Sequence, residues 1–491
     1  MSLINISNLT FAYDGSYENV FENISFSIDT DWKLGLIGRN GKGKTTFLKL
    51  LMNDYEYQGK ITSNMEFDYF PFEIKDKSIY TYEVAEQINC NYEMWKIERE
   101  LNLLHMDVEI MYRKFSTLSK GEQTRVLLAI LFTKDNNFLL IDEPTNHLDF
   151  EARKIVSKYL KKKKSFILVS HDKFFLDECI DHVLAINRSD IEIQQGNFSS
   201  WWENKKKKDA FEINENEKLK KDISRLEQSA MQLAKWSNKV EDSKYNIRGD
   251  LLQDKGYIGH KAAKMMKRSM VTQKRKEKAI EDKTKLLKNI EKIEDLKIHN
   301  IQNRSGNIIE VKDLSILYDE KKIFDGINFS ISSGERLQLK GKNGCGKSSI
   351  IKLILGEDIK YLGKLHIQNN LKISYISQDT SYLKGTLNEF IKCNDIDETL
   401  FKAILRKLDF KREQFDKELE NYSEGQKKKV LIAKSLSEAA NLYIWDEPLN
   451  YIDIFTRMQI EEVILSYAPT LIFVEHDISF SNKIATKVIE L

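Results

Sequence analysis

Two segments of the chain carry the residue spacing of a phosphate-binding loop. GRNGKGKTT begins at Gly38 and GKNGCGKSS begins at Gly341, and each follows an apolar run and precedes a helical pattern. The glycines let backbone amides converge on a polyphosphate at a helix N-terminus, while the lysine neutralises phosphate charge and the hydroxyl after it reaches Mg²⁺. The residues predicted to bind a nucleoside triphosphate are Gly38, Asn40, Gly41, Gly43, Lys44, Thr45 and Thr46, and Gly341, Asn343, Gly344, Gly346, Lys347, Ser348 and Ser349.

A pair of adjacent carboxylates ends an apolar run in each half of the chain. The pairs are Asp142-Glu143 and Asp446-Glu447. A buried strand that ends there presents both carboxylates to the phosphate loop, the Asp as a Mg²⁺ ligand and the Glu as a general base for an attacking water. A helix-capping acidic pair is the alternative. The spacing therefore predicts Glu143 and Glu447 as catalytic bases and Thr45, Asp142, Ser348 and Asp446 as metal ligands.

The elements that must position these groups occur twice. The two phosphate loops are offset by 303 residues, LSKGEQ and YSEGQ by 304, the acidic pairs by 304, and ILVSHD and IFVEHD by 305. Four landmarks in the same order indicate a duplicated domain. Because short apolar runs alternate with longer helical patterns in each copy, the fold class is α/β, with a mostly parallel sheet covered by helices.

The composition narrows the class of protein. The 491 residues contain 41% hydrophobic and 31% charged residues, which is typical of globular domains. No apolar run is long enough for a membrane span, and the four cysteines show no CxxC spacing, so we expect a cytoplasmic protein without a disulfide framework. Residues 201–300 contain 26 Lys+Arg and 17 Asp+Glu, which predicts an acidic partner such as nucleic acid for this segment.

The repeated motifs resemble those of ABC-type ATPase cassettes. In that family two cassettes face each other head to tail and enclose two ATP molecules, each with Mg²⁺. The resemblance implies that Ser119, Gly121, Ser423 and Gly425 contact the ATP of the opposite cassette, that His171 and His476 sense the γ-phosphate, and that Tyr13 and Tyr318 stack on adenine. Gln378 matches the family's Mg²⁺-contacting glutamine, but Phe72 stands at that place in the first cassette, so the two sites could differ in turnover.

The segment between the cassettes predicts a helical hairpin. Leu219, Ile223, Leu226, Ala230 and Leu233 have the spacing of a helix seam, and three glycines mark a tip near 236–259. The predicted domains are residues 1–202, 203–305 and 306–491. Residues 255–278 contain nine Lys+Arg and one acid, which favours RNA phosphates over a merely solvated helix face. The candidate RNA contacts are Lys261, Lys264, Lys267, Arg268, Trp236, Tyr245 and Tyr257.

Two cassettes joined by a basic hairpin resemble the ABC-F proteins, which act on the ribosome. KGYIGHKAAKMMKRS and GNFSSWW are similar to segments of that family, and the opening of the chain resembles the antibiotic-resistance branch. The resemblance implies a monomer that binds the bacterial ribosome, contacting rRNA and the tRNA in the peptidyl site, with its hairpin near the peptidyl-transferase centre. A housekeeping ABC-F translation factor and the ATPase subunit of a transporter stay open as alternatives.

Overall fold

The computed structural model describes most of the chain outside the predicted hairpin tip. The described residues are 2–15, 19–90, 92–134, 137–146, 148–187, 191–243, 264, 267, 270–272, 274, 275, 278, 296–301, 306–318, 321–342 and 344–491. They divide into two compact units. One unit comprises Met1–Trp201 with Ile293–Leu491, and the other comprises Trp202–Lys292.

The first cassette contains nine strands and six helices before the long helix that leaves it. Its strands are β1 (Leu3–Phe11), β2 (Phe21–Asp29), β3 (Lys33–Ile37), β4 (Gln58–Thr62), β5 (Glu66–Phe70), β6 (Asn137–Asp142), β7 (Phe166–Val169), β8 (His182–Ile186) and β9 (Ile191–Gln195). Its helices are α1 (Lys44–Leu51), α2 (Thr81–Ile88), α3 (Met94–Leu103), α4 (Lys120–Leu131), α5 (Phe150–Lys161) and α6 (Lys173–Cys179). These counts cover the described residues.

The second cassette repeats this order. Its strands are β10 (Asn307–Tyr318), β11 (Lys321–Lys322), β12 (Ile327–Ser332), β13 (Arg336–Lys340), β14 (Tyr361–Ile367), β15 (Ile373–Ile376), β16 (Leu442–Asp446), β17 (Leu471–Val474) and β18 (Lys487–Glu490). Its helices follow α7 (Phe198–Ser243) and are α8 (Lys347–Ile354), α9 (Leu387–Cys393), α10 (Glu398–Lys407), α11 (Glu424–Ser437), α12 (Ile454–Tyr467) and α13 (Ile478–Ile484). The predicted α/β class with two cassettes is confirmed.

Each cassette is built on a large sheet of mostly parallel strands. The order is β5-β6-β7-β3-β8-β9 in the first cassette, where only the β8–β9 pair is antiparallel, and β15-β16-β17-β13-β18 in the second. Strands β6, β7 and β3 are neighbours, as are β16, β17 and β13. The carboxyl ends of parallel strands meet at one edge of a sheet, so the residues that follow these three strands come together.

A smaller antiparallel sheet completes each cassette, and the sequence did not predict it. Strand β1 pairs with β2 and β4, and β10 pairs with β11, β12 and β14. The apolar side chains of β1 alternate with exposed ones, because one face of this sheet packs on a core that it shares with β3, β6 and α1.

The second unit is dominated by α7. This helix contains 46 residues and includes the predicted seam of apolar residues. The described residues between 264 and 278 are also helical. The first residues of the predicted tip near 236–259 belong to α7, which continues to Ser243. The rest of the predicted tip lies outside the described residues, and so do Lys261, Arg268, Tyr245 and Tyr257. Among the helices of the described residues, none is both long enough and apolar enough to cross a membrane.

Candidate active site

Both phosphate loops lie at the strand edge where the sheet topology places them. Each runs from β3 or β13 into the N-terminus of α1 or α8. The residue before each helix, Gly43 or Gly346, has a φ of 87° or 98°, a left-handed conformation that favours glycine. A Cβ at Gly43 would also lie 2.6 Å from Val20 Cγ1. The loop therefore needs glycine for its backbone and for its close packing.

The loop lysines point back across their own loops. Lys44 Nζ donates to the carbonyls of Gly38 at 2.6 Å and Arg39 at 3.3 Å. Lys347 Nζ donates to the carbonyls of Gly341 at 2.9 Å and Lys342 at 2.8 Å. Burial lowers the pKa of Lys44, although neighbouring carboxylates oppose the shift. An incoming polyphosphate would exchange these carbonyl contacts for charged oxygens, which are stronger partners for an ammonium group.

In the first cassette the acidic pair lies beside the phosphate loop. Asp142 Oδ2 accepts hydrogen bonds from Thr45 Oγ1 at 2.8 Å and from Tyr69 Oη at 3.0 Å. Glu143 has a φ of 50°, an unusual conformation for a residue with a side chain. His171 Nε2 lies 3.2 Å from Glu143 Oε1, but the two atoms are not aligned as a hydrogen bond. Thr45 thus contacts Asp142, and His171 lies beside Glu143.

The second cassette places its glutamate in a richer network. Gln378 Nε2 donates to Glu447 Oε2 at 2.9 Å, and Asn450 Nδ2 donates to the same oxygen at 2.7 Å. His476 Nε2 lies 3.5 Å from Glu447 Oε1. The φ of Glu447 is 49°, which matches that of Glu143. The second site therefore holds its glutamate with two amide donors, and Phe72 cannot supply the corresponding one in the first.

These environments shift the pKa values of the two glutamates in opposite directions. Burial and the adjacent Asp142 raise the pKa of Glu143 to about 8. Burial would also raise the pKa of Glu447, but His476 and the hydrogen bond from Gln378 outweigh it and lower that pKa below its ordinary value. Glu447 is thus ionised at neutral pH, which a general base requires.

The first phosphate loop faces the YSEGQ segment (residues 422–426) of the second cassette. Asn40 Nδ2 donates to the Tyr451 carbonyl at 3.0 Å. A Cβ built on Gly425 would lie 2.6 Å from that carbonyl oxygen and 3.3 Å from Asn40 Nδ2. Ser423 caps α11, where its Oγ accepts from the Gln426 amide at 3.3 Å. The head-to-tail pairing expected of the two cassettes is therefore present at this site, with a helix N-terminus aimed toward the loop.

The comparisons with known proteins agree with this arrangement. The family model described as ABC transporter matches residues 21–146 and 324–450, which together are slightly more than half of the chain. The chain belongs to the ABC transporter family. This ABC ATPase binds ATP and hydrolyses it to ADP and phosphate with Mg²⁺, as the cassettes of the family do.

Several relatives align with nearly all of this ABC ATPase. The ribosome protection protein VmlR of Bacillus subtilis (strain 168) is 28% identical over 98% of the chain and 85% of VmlR. The ATP-binding protein Uup of Buchnera aphidicola subsp. Acyrthosiphon pisum is 29% identical over 99% of the chain and 80% of Uup. ABC transporter F family member 2 of Arabidopsis thaliana is 25% identical over 99% of the chain and 76% of that protein. Within its family, the chain is an ABC-F ATPase.

A solved structure shares the fold. The archaeal ribosome recycling factor aABCE1, in its complex with the stalk protein aP1, superposes with a TM-score of 0.61 at 19% identity and covers 94% of this chain and 83% of that one. At this identity the likeness is one of fold.

The donor set of this ABC ATPase fits Mg²⁺. Asp446 Oδ1 is buried and, among the described residues, has no hydrogen-bond partner, while burial and Glu447 raise the pKa of Asp446 to about 6. A bound cation satisfies such an oxygen, and carboxylate and hydroxyl oxygens are the ligands that Mg²⁺ prefers. Thr45 with Asp142, and Ser348 with Asp446, would hold the ion. When bound, Mg²⁺ neutralises phosphate charge.

The remaining predicted residues lie around the two ATP sites or outside the described residues. Tyr13 Oη is 2.6 Å from Thr46 Oγ1, and its ring is exposed beside the first loop, where adenine could stack. Ser119 caps α4 through Glu122, so Gly121 lies in the first turn of that helix. Asn343 lies outside the described residues, as do the side chains of Tyr318 and Trp236.

Three contacts in the sites were not predicted. Tyr69 bonds to Asp142, Asn450 bonds to Glu447, and the Tyr451 carbonyl accepts from Asn40. The sequence held a signal for two of them, because Tyr69 and Asn450 recur as Tyr375 and Asn146 in the other copy. The carbonyl of Tyr451 left no signal, since any residue type supplies one.

Proposed function

We propose that this ABC-F ATPase binds the bacterial ribosome and protects it from antibiotics that act at the peptidyl-transferase centre. The observation that carries the proposal is the extent of the similarity to VmlR, whose name describes ribosome protection. That similarity spans 98% of the chain, whereas the family model matches only the cassettes. It therefore includes the segment between them, where ABC proteins with different tasks differ.

The charge of that segment supports RNA as the partner. The described side chains of Lys264, Lys267, Lys274, Arg275 and Lys278 are all exposed. Glu277 is the one acid among residues 255–278. Exposed cations in such a run bind phosphates by releasing counterions. We propose residues 203–305 as the ribosome-facing domain between ATPase domains at 1–202 and 306–491, with the tip entering from the tRNA exit side.

The ATP cycle gives this binding a direction. Two ATP molecules close the cassettes, with Ser119 and Gly121 on one and Ser423 and Gly425 on the other completing the opposite sites. Glu143 and Glu447 then act as bases for the attacking water, and His171 and His476 sense the γ-phosphate. Hydrolysis reopens the cassettes, and the protein leaves the ribosome.

Co-sedimentation with bacterial ribosomes tests the partner. The Glu143→Gln/Glu447→Gln double variant keeps ATP bound, so we expect it to pellet with ribosomes in the presence of ATP and to stay in the supernatant without nucleotide. The wild type with ATP should pellet less, because it hydrolyses and dissociates. If the double variant does not pellet with ATP at low salt, the ribosome is not the partner, and a membrane-protein partner becomes the better explanation.

The basic run has its own test. Replacement of Lys261, Lys264, Lys267 and Arg268 by Ala should weaken ribosome binding. A plot of the logarithm of the association constant against the logarithm of the salt concentration should become less steep by about 3 to 4. The matched control replaces Lys158 and Lys162, which are exposed on and after α5, and should leave the slope unchanged. Equal slopes for both variants would mean that the run is only a solvated helix face.

A housekeeping ABC-F factor acting on tRNA or stalled ribosomes is the second candidate. The ATP-binding protein Uup is 29% identical over 99% of the chain, and its name describes no ribosome protection, so the similarity to VmlR does not by itself separate the two candidates. Expression in a susceptible host separates the two. Protection raises the inhibitory concentration of lincosamides, streptogramin A or pleuromutilins, whereas a housekeeping factor leaves the whole panel unchanged.

A further inference from the structure

Helix α11 of the second cassette is fastened to the loop that follows β15. Thr380 Oγ1 donates to Glu424 Oε2 at 2.6 Å. One turn further along the helix, Lys428 Nζ donates to the Ser377 carbonyl at 2.9 Å. We call these two bonds the loop clamp. Ser377 precedes Gln378 and Thr380 follows it, so the loop is held on both sides of the residue that donates to Glu447.

The lysine of the clamp is buried. Only 2% of Lys428 is exposed, and burial lowers its pKa while the carboxylates of Glu475, Glu447 and Asp446 oppose that shift. A long cationic side chain that is held in the interior is expensive to move, because a shift of the loop would leave the ammonium group without its carbonyl partner. The loop and the helix are therefore expected to move together.

The loop and the helix that the loop clamp joins serve different ATP sites. The loop carries Gln378, which bonds to Glu447 in the second cassette's own site. The helix begins beside Ser423, and Gly425 in its first turn packs against Asn40 and Tyr451 at the first site. The clamp thus forms a short physical path from one ATP site to the other through a single helix.

The first cassette has different side chains at the corresponding places. Lys120 and Thr124 stand where Glu424 and Lys428 stand, and Ile74 stands where Thr380 stands. Thr124 Oγ1 donates to the Lys120 carbonyl of its own helix at 3.0 Å. Isoleucine has no polar hydrogen to donate, and a lysine cannot accept one. The duplicated scaffold therefore builds the clamp from the second copy's residues.

We propose that Lys428 and Glu424 are positioning residues that couple the two ATP sites through the second cassette only. Occupation of the second site moves Gln378, the clamp transmits this movement to α11, and the approach of Ser423 and Gly425 to the first site changes. Coupling of this kind is reciprocal, so nucleotide at the first site also biases the position of Gln378. The inference rests on the proposed roles of Gln378, Ser423 and Gly425 at the ATP sites and does not depend on the ribosome.

A double-mutant cycle on ATP turnover tests the coupling without ribosomes. All variants carry Glu447→Gln, which leaves turnover at the first site as the readout. In this background Gln378→Ala should reduce turnover at least about fivefold, although Gln378 belongs to the other site. With Lys428→Met also present, Gln378→Ala should cause no further loss. The same fold-reduction with and without Lys428→Met would overturn the proposal, as would no effect of Gln378→Ala.

Two further variants keep the test decisive. Lys434→Met removes a lysine of the same helix that pairs with Glu438 at 3.6 Å on its more exposed side, and it should preserve the full effect of Gln378→Ala. If Lys428→Met does not fold, Thr380→Val removes the other bond of the clamp without exposing a buried charge and should reduce the effect. An unchanged effect in Thr380→Val would then count against the clamp. Unaltered turnover in the Glu143→Gln/Glu447→Gln double variant would instead refute the assignment of the two bases.

Discussion

Substitution of Gly425 by alanine should displace the start of α11 beside the first ATP site. Gly425 lies in the first turn of α11, where helical backbone accepts alanine without strain. Its surroundings do not, because an added Cβ would lie 2.6 Å from the Tyr451 carbonyl oxygen and 3.3 Å from Asn40 Nδ2. The carbonyl is backbone and cannot rotate away as a flexible side chain could, so the start of α11 must shift relative to Tyr451, which lies in the same cassette.

The size of the effect follows from this distance. Ordinary van der Waals contacts of a Cβ begin at 3.4 Å, so the start of α11 must shift by about 0.8 Å relative to the Tyr451 carbonyl, which accepts a hydrogen bond from Asn40 of the first phosphate loop. Displacement of a catalytic group by about 1 Å costs on the order of 100-fold in rate. We therefore expect Gly425→Ala to lower turnover at the first site by tenfold or more. Thermal stability should stay near that of the wild type, because alanine favours the helix.

The assay measures ATP hydrolysis in the Glu447→Gln background, which leaves the first site as the source of turnover. Gly121→Ala, the corresponding change in α4, serves as the matched variant because it acts at the second site. Its effect on this readout should be smaller than that of Gly425→Ala. Wild-type turnover in Gly425→Ala would refute the reasoning, since it would mean that Gly425 and Tyr451 are not in contact when ATP is cleaved.

Three other predictions concern buried charges. Burial raises the pKa of Glu475 from 4.5 to about 7, so the folded state keeps a proton that the unfolded chain releases, and stability falls as the pH rises from about 4.5 to 7. Glu475→Gln should remove this loss, worth on the order of 3 kcal/mol, and raise the thermal midpoint at pH 8 but not at pH 4. At pH 7, Glu447→Gln should reduce total ATP turnover more than Glu143→Gln, because only about a tenth of Glu143 is ionised when its pKa is about 8; equal losses would contradict this. Arg153→Met leaves Asp172, its ion-pair partner at 3.0 Å, buried without a cation, and should destabilise the fold by about 3 kcal/mol or more in thermal unfolding, while an unchanged midpoint would mean that the pair contributes little.

The architecture could be predicted from the sequence because the same motifs occur twice in the chain. Motifs that recur in the same order at offsets of 303 to 305 residues fix the boundaries of the strands that carry them, and β3, β6 and β7 end within one residue of their motifs. The antiparallel sheets carry no such motif. Strand β10 runs for 12 residues from Asn307 to Tyr318, and its one candidate site residue, Tyr318, stands at its end, so periodicity was the guide to the rest of the strand.

The sites were predictable at the level of residue types and not at the level of their partners. Thr45 and Asp142 follow from spacing, because a phosphate loop and the end of a neighbouring strand must meet in this fold. The bond from Asn40 to the Tyr451 carbonyl joins positions 411 residues apart, and no local pattern specifies it. Such contacts depend on how two copies pack, which is a property of surfaces that no motif of the repeat describes.

Differences between the copies explain why one scaffold holds two unlike sites. Gln378 against Phe72 decides whether an amide reaches the glutamate, and Glu447 is ionised at neutral pH where Glu143 is largely protonated. Lys428 against Thr124 decides whether the loop of that glutamine is fastened to the helix of the opposite site. Both differences favour the second cassette as the one that cleaves ATP at neutral pH and reports its state to the first. Both cassettes have the motifs that bind ATP, so the order of events in the ATP cycle depends on the residues that differ between the two cassettes.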